Sequence, residues 1–189
     1  AGYAGLAAAL TLARAGRHVQ VFDRQRPGEG ASTRNAGIAS GNLVASLGAM
    51  IKRFGVERAR TFYLEGKQAR DDLARFLIDE RLECDWQESG VLYAASRPDH
   101  LTAQHQQAEL LNEHLDIPAV LLDPAATAER LGTERYFGGL LRPDIATLHP
   151  AKLHASLLAL ARGAGATVHG ETGVSRIRKG DNGTHELWT

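Results

Sequence analysis

Gly2 and Gly5 stand at the head of the run AGYAGLAAALTLARAG, and Asp23 closes the run HVQVFD eighteen residues after Gly5. Two glycines three apart before a helical pattern, then an acid at the end of an apolar strand, are residue types that bind an adenine dinucleotide. In the turn G-x-G-x-x-G the first glycine makes the bend, the second lets backbone approach a pyrophosphate, and the third lets helix and sheet pack closely. The phosphates then meet the unpaired N–H groups and the positive dipole end of the helix. The acid accepts from a ribose hydroxyl. Gly2 and Gly5 match the second and third glycines. The first glycine and its strand would precede Ala1, so the chain is expected to begin inside an intact motif and to bind its dinucleotide poorly alone.

The elements that must position these residues are legible in the apolar spacing. Leu6, Ala9, Leu10 and Ala13 form one helical stripe, with Gly16 as its C-terminal cap. His18 to Asp23 reads as a short strand, which completes the second half of a β-α-β unit. The segment RPGEGASTRNAGIASGN that follows is dense in small residues, as suits backbone lying flat against something large. Helical patterns follow from about Val56 to Arg81 and from Pro98 to Leu115, with a strand at Val91–Ala95 between them. Asp123 and Pro124 open a short helix as N-cap and first helical residue. YFGGLLRPDIATLHP reads as strand, turn, strand. Pro150 opens a further helix that closes around Gly163–Gly165, and three short strands end the chain, two of them joined by a hairpin turn at Gly180–Gly183.

Bulk properties narrow the partners. Twenty-two basic residues balance 22 acidic ones, so no overall charge attracts nucleic acid or an anionic membrane. No apolar run reaches the length of a membrane span. Cys84 is the only cysteine, which excludes an internal disulfide and fits a reducing, cytoplasmic setting. It is expected to be a small buried apolar residue. The eight histidines show no metal-ligand spacing, so no metal site is expected. His100, His105, His114 and His154 are expected on solvated helix faces, and His149 as a helix-entry residue. Trp86 and Trp188 read as core or strand residues. No Ser/His/Asp order or carboxylate pair stands out, and no catalytic residue is assigned.

The fingerprint alone leaves NAD and FAD open. Arg24 and Arg26 are the residue type for a 2′-phosphate, which Asp23 would repel; Arg24 is kept as a cofactor-facing position. The segment AGYAGLAAALTLARAG…VQVFDRQRPGEGASTRNAGIASG then resembles the N-terminal region of the FAD-dependent D-amino-acid oxidase superfamily, in its glycine oxidase, sarcosine oxidase and γ-glutamylputrescine oxidase branch. That branch follows its strand-end acid with G-x-G-A-S-x-R-N-x-G, here Gly28, Gly30, Ala31, Ser32, Arg34, Asn35 and Gly37. YFGGLLRPDIATLHPAKLHASLLALARGAGATVHGETGVSRI is similar to the branch's later pattern, so the likeness runs in order along nearly the whole chain. Ala36 stands where the branch often has glycine, and Asp23 where glutamate is usual.

The resemblance implies a fold and a set of roles. The fold is α/β: a Rossmann-like FAD-binding domain with an inserted α+β substrate domain, truncated at both ends. Residues 1–85 and 146–189 would belong to the FAD-binding domain and 86–145 to the substrate domain. Gly2 and Gly5 would face the pyrophosphate and Asp23 the ribose. Ala31, Ser32, Arg34, Asn35 and Gly37 would lie along the pyrophosphate and isoalloxazine, and Val174 would meet the adenine through its backbone. The implied activity is oxidation of the C–N bond of an amino acid or amine by hydride transfer to FAD, giving an imine, with O₂ or another acceptor taking the electrons. An NAD-dependent dehydrogenase and a non-catalytic flavin-binding subunit are the alternatives.

Overall fold

The computed structural model describes every residue of 1–189 except Val44, Asn182 and Gly183, so the expected hairpin turn at Gly180–Gly183 lies partly outside the described residues. The chain forms two compact units. The first comprises Ala1–Gly37, Arg81–Asp85 and Leu148–Thr189; the second comprises Ile38–Glu80 and Trp86–Thr147. Residues 38–80, grouped above with 1–37, pack within the second unit because their helices share an apolar core with the helix that follows residue 98.

In the first unit, α1 (Tyr3–Arg14) buries Leu6, Ala9 and Leu10. It lies against α6 (Pro150–Gly163), whose buried residues are Leu153, His154, Leu157 and Ala161. Alanine at the contact lets the two helices approach closely, and each buried leucine contributes on the order of 1.5–3 kcal/mol. The chain reverses after α1 at Gly16, whose N–H donates to Ala13 O at 2.9 Å. It then enters β1 (Gln20–Phe22), which pairs in parallel with β7 (Thr167–His169) in the register Gln20 to Thr167. The other two of the three short strands expected at the end of the chain are β8 (Arg176–Lys179) and β9 (His185–Trp188), an antiparallel pair exposed along its whole length.

In the second unit, α2 (Leu47–Phe54) and α3 (Val56–Asp79) turn about Gly55. Both pack on α4 (Asp99–Leu115). Their core includes Leu47, Ala59, Tyr63, Leu111, Leu115 and Leu140. The sequence reading above has no α2, though its signal is present: Ser46 accepts from Ala49 N–H as N-cap, and Leu47, Met50, Ile51 and Phe54 follow at helical spacing. Midway along α3, Gly66 meets Gly41 backbone to backbone. A Cβ on Gly66 would overlap the Gly41 carbonyl oxygen, and one on Gly41 would stand 2.5 Å from Lys67 N.

The sheet of this unit has the order β3 (Val91–Ala94), β5 (Gly139–Arg142), β4 (Val120–Leu122), all antiparallel. α5 (Pro124–Leu131) follows β4 and is capped by Asp123, which accepts from Ala126 N–H at 2.7 Å. The strand–turn–strand reading of 136–150 corresponds to β5, a turn at 143–144, and β6 (Ala146–Thr147). β5 and β6 do not pair with each other; β6 pairs instead with β2 (Ile38–Ala39). Pro143 offers no ladder donor, and the Arg142 guanidinium grips the Asp144 carboxylate through Nε at 3.0 Å and Nη2 at 2.5 Å, which bends the chain between them.

Candidate functional site

The head of α1 is where the sequence places an anion, and its backbone donors are available for one. Gly2 is the N-cap, in extended conformation, and its carbonyl accepts the first helical bond from Leu6 N–H at 2.9 Å. The Tyr3 N–H donates to Ser32 Oγ at 3.1 Å. The N–H groups of Gly2, Ala4 and Gly5 make no hydrogen bond among the described residues. A Cβ on Gly5 would meet nothing within 4 Å, while one on Gly2 would sit 3.0 Å from Ser32 Oγ. Small residues thus leave the donors open, which is what a pyrophosphate at a helix N-terminus requires.

Asp23, just past β1, turns toward this helix head. Its Oδ2 accepts from the Ala1 ammonium at 2.6 Å and its Oδ1 from Gln25 N–H at 3.0 Å. The ammonium holds the carboxyl below the ordinary carboxylate range, against a smaller opposing effect of burial. The Asp23 backbone ties the strand end to the segment after β7: its N–H donates to His169 O at 2.9 Å, and its carbonyl accepts from Thr172 N–H at 2.7 Å. That segment carries Val174, which is half-exposed, alongside Arg24, whose Cβ leaves only 3.1 Å to a Cβ built on Gly173.

The glycine-rich segment is a chain of turns bonded to itself. Thr33 Oγ1 donates to Gly28 O and Gly30 O. Asn35 Nδ2 donates to Ala31 O at 3.1 Å and Ser32 O at 3.0 Å, and its Oδ1 accepts from Gly37 N–H at 2.9 Å. Asn35 therefore fixes the segment's shape through its side chain. Gly37 has φ +69°, and a Cβ there would overlap the Leu148 carbonyl oxygen; only glycine fits both demands. Ala31 and Arg34 face solvent. The structure brings Gly2, Gly5, Asp23 and Ser32 to the head of α1, and Arg24 and Val174 to the strand-end side. Arg34 makes no side-chain hydrogen bond among the described residues.

Two residues near this head were missed by sequence reasoning. The Tyr3 hydroxyl donates to Pro150 O at 2.8 Å, and burial pushes its phenol above the ordinary value. His154, expected on a solvated face, is 3% exposed, and its Nε2 lies 2.7 Å from Ala1 O. Helical periodicity places His154 beside Leu153 and Leu157, but no sequence signal marks it as the partner of residue 1. Cys84 is buried as expected. Among the described residues no helix is long and apolar enough to cross a membrane, and no group of three His, Cys, Asp or Glu side chains could hold a metal.

The family model described as FAD dependent oxidoreductase, of the D-amino-acid oxidase type, matches residues 1–188. The chain belongs to this family. Among curated relatives of the family, γ-glutamylputrescine oxidoreductase of Escherichia coli (strain K12) is 31% identical over 156 residues, covering 80% of this chain and 35% of the relative. Among solved structures, glycine oxidase from Geobacillus kaustophilus superposes with a TM-score of 0.79 at 23% identity, over 98% of this chain and 48% of that one. Iminodiacetate oxidase from Chelativorans sp. BNC1 superposes with a TM-score of 0.74 at 22% identity, over 99% and 48%. The chain thus spans about a third of that curated relative and about half of each of those structures. The mixed α/β fold is that of FAD-dependent oxidases, and the family's cofactor is FAD, which removes the NAD alternative. The open N–H groups of Gly2, Ala4 and Gly5 and the small residues around them suit the pyrophosphate of that cofactor.

Proposed function

We propose that this chain supplies the adenine-dinucleotide half of the flavin site in an enzyme that oxidises the C–N bond of an amine or amino acid to an imine. The unpartnered N–H groups at the head of α1 carry the reading, on a chain whose family uses FAD. In this reading the first unit is the FAD-binding domain and the second belongs to a substrate domain. Gly2 and Gly5 give their N–H groups to the pyrophosphate, and Ser32, now on Tyr3 N–H, can turn its hydroxyl to the same phosphates. Asp23 accepts from the ribose, with Arg24 and the Val174 backbone beside the adenosine. Ala31, Arg34, Asn35 and Gly37 run toward the isoalloxazine end, Asn35 by holding the turn and Arg34 by supplying charge.

FAD, when bound, accepts hydride from the carbon next to nitrogen and passes the electrons on to O₂ or another acceptor. The chain's own contribution is to bind and orient. The relatives' names support an amine or amino acid as substrate, and the single cysteine, Cys84, supports a reducing, cytoplasmic setting. The test is spectroscopic. Protein purified with its natural flanking sequence should carry flavin absorbance, and an amine or amino acid should bleach it anaerobically. Absence of flavin under FAD saturation would overturn the reading. Flavin that no amine or amino acid bleaches would leave a flavin-binding module without this reaction.

A further inference from the structure

The peptide joining Ala1 to Gly2 is held from the α6 side. His154, in the second turn of α6, is buried, and its Nε2 lies 2.7 Å from the Ala1 carbonyl oxygen. A carbonyl only accepts, so Nε2 carries the proton and donates. The other ring nitrogen, Nδ1, faces Gly28, where a Cβ would stand 3.3 Å away. The ring also lies tilted toward Tyr3, centroids 6.3 Å apart, and the Tyr3 hydroxyl donates to Pro150 O in the first turn of α6. Two hydrogen bonds, one from each helix, thus stitch α6 to the head of α1.

The direction of the Gly2 N–H follows from this stitch. No peptide bond among the described residues is cis, and a trans peptide is planar, with its C=O and N–H pointing opposite ways. Holding the Ala1 carbonyl toward α6 therefore turns the Gly2 N–H away from α6 and leaves it, like the N–H groups of Ala4 and Gly5, without a partner among the described residues. We propose that His154 is a positioning residue: its Nε2–H fixes the Ala1–Gly2 peptide so that the Gly2 N–H is presented to the cofactor pyrophosphate. The inference rests on the FAD reading for the identity of the ligand, and on the hydrogen bond alone for the orientation of the peptide.

The experiment uses protein labelled with ¹⁵N-glycine, titrated with ADP as the pyrophosphate-bearing probe and with adenosine as the control that lacks it. His154→Leu fills the ring's space without a donor, and His154→Gln restores an N–H within reach of the carbonyl. Losing one hydrogen bond that orients a donor should weaken ADP roughly fivefold to tenfold in His154→Leu. Adenosine affinity should hold, the ligand-free Gly2 amide resonance should move, and His154→Gln should recover both within about twofold of the parent. Equal losses for ADP and adenosine would mark a merely structural role and overturn the proposal, as would an unmoved Gly2 amide with parental ADP affinity. If His154→Leu does not fold, His154→Gln decides alone: parental ADP affinity supports the proposal and a fivefold loss overturns it. A parent that takes no ADP, but whose Gly2 amide moves in His154→Leu and returns in His154→Gln, overturns the flavin reading and leaves the hold of His154 on the peptide standing.

Discussion

Around Arg142, in the second unit, every guanidinium nitrogen has a partner. Nε and Nη2 bond the Asp144 carboxylate and Nη1 donates to Asn42 Oδ1 at 2.7 Å, with the Arg142 side chain 3% exposed. At the head of α1, in the first unit, the N–H groups of Gly2, Ala4 and Gly5 have none among the described residues, and Asp23 has only the terminal ammonium and one backbone N–H. A polar cluster that satisfies itself gives nothing to a ligand and holds the chain in place. One that leaves donors open holds less and offers more. Substitutions in the two clusters should therefore separate stability from binding.

The largest effect is expected at Arg142. Arg142→Ala leaves the Asp144 carboxylate without its counter-charge, and breaking such a pair costs about 3–4 kcal/mol. Chemical denaturation measures it, and replacing Asp144 by Asn in the same chain should return part of the loss. Next comes Gly66→Ala. In an unobstructed helix interior this exchange stabilises by about 1 kcal/mol. Here it should destabilise by about 3 kcal/mol, because the new Cβ strikes the Gly41 backbone. A gain in stability would mean that the crossing of loop and helix is looser than described.

The first unit should answer differently. Asp23→Asn should change stability by less than about 1 kcal/mol, since the amide oxygen can still accept from Gln25 N–H, while weakening ADP about tenfold. Calorimetry of the same sample reads both. The smallest effect belongs to Ser32→Ala, which leaves the Tyr3 N–H to water at a stability cost of about 0.5–1 kcal/mol. It tests whether Ser32 holds the helix head or serves the ligand: a loss of ADP affinity beyond that cost assigns it to the ligand.

What could be read beforehand followed local rules. α1 and α6 announce themselves through apolar spacing and their first residues, and α5 through Asp123 and Pro124. The glycine pair and Asp23 pointed to the head of α1 because both lie within one β-α-β stretch. What stayed hidden depended on partners far along the chain. The pairing of β6 with β2 needs the bend that Arg142 and Asp144 make together. The burial of His154 needs residue 1, which periodicity cannot supply. α2 is the exception: its signal is local, but the stretch between the small-residue run and Val56 is assigned no element from sequence.

The meeting of Gly41 with Gly66 has a consequence for how this molecule can vary. Each glycine leaves room for the main chain of the other, not for a side chain that could be trimmed in exchange. A methyl gained on either partner thus has no neighbour whose shrinking would make space for it. The two positions form a lock with no second key, and the chain at Gly41 is tied to that point on α3.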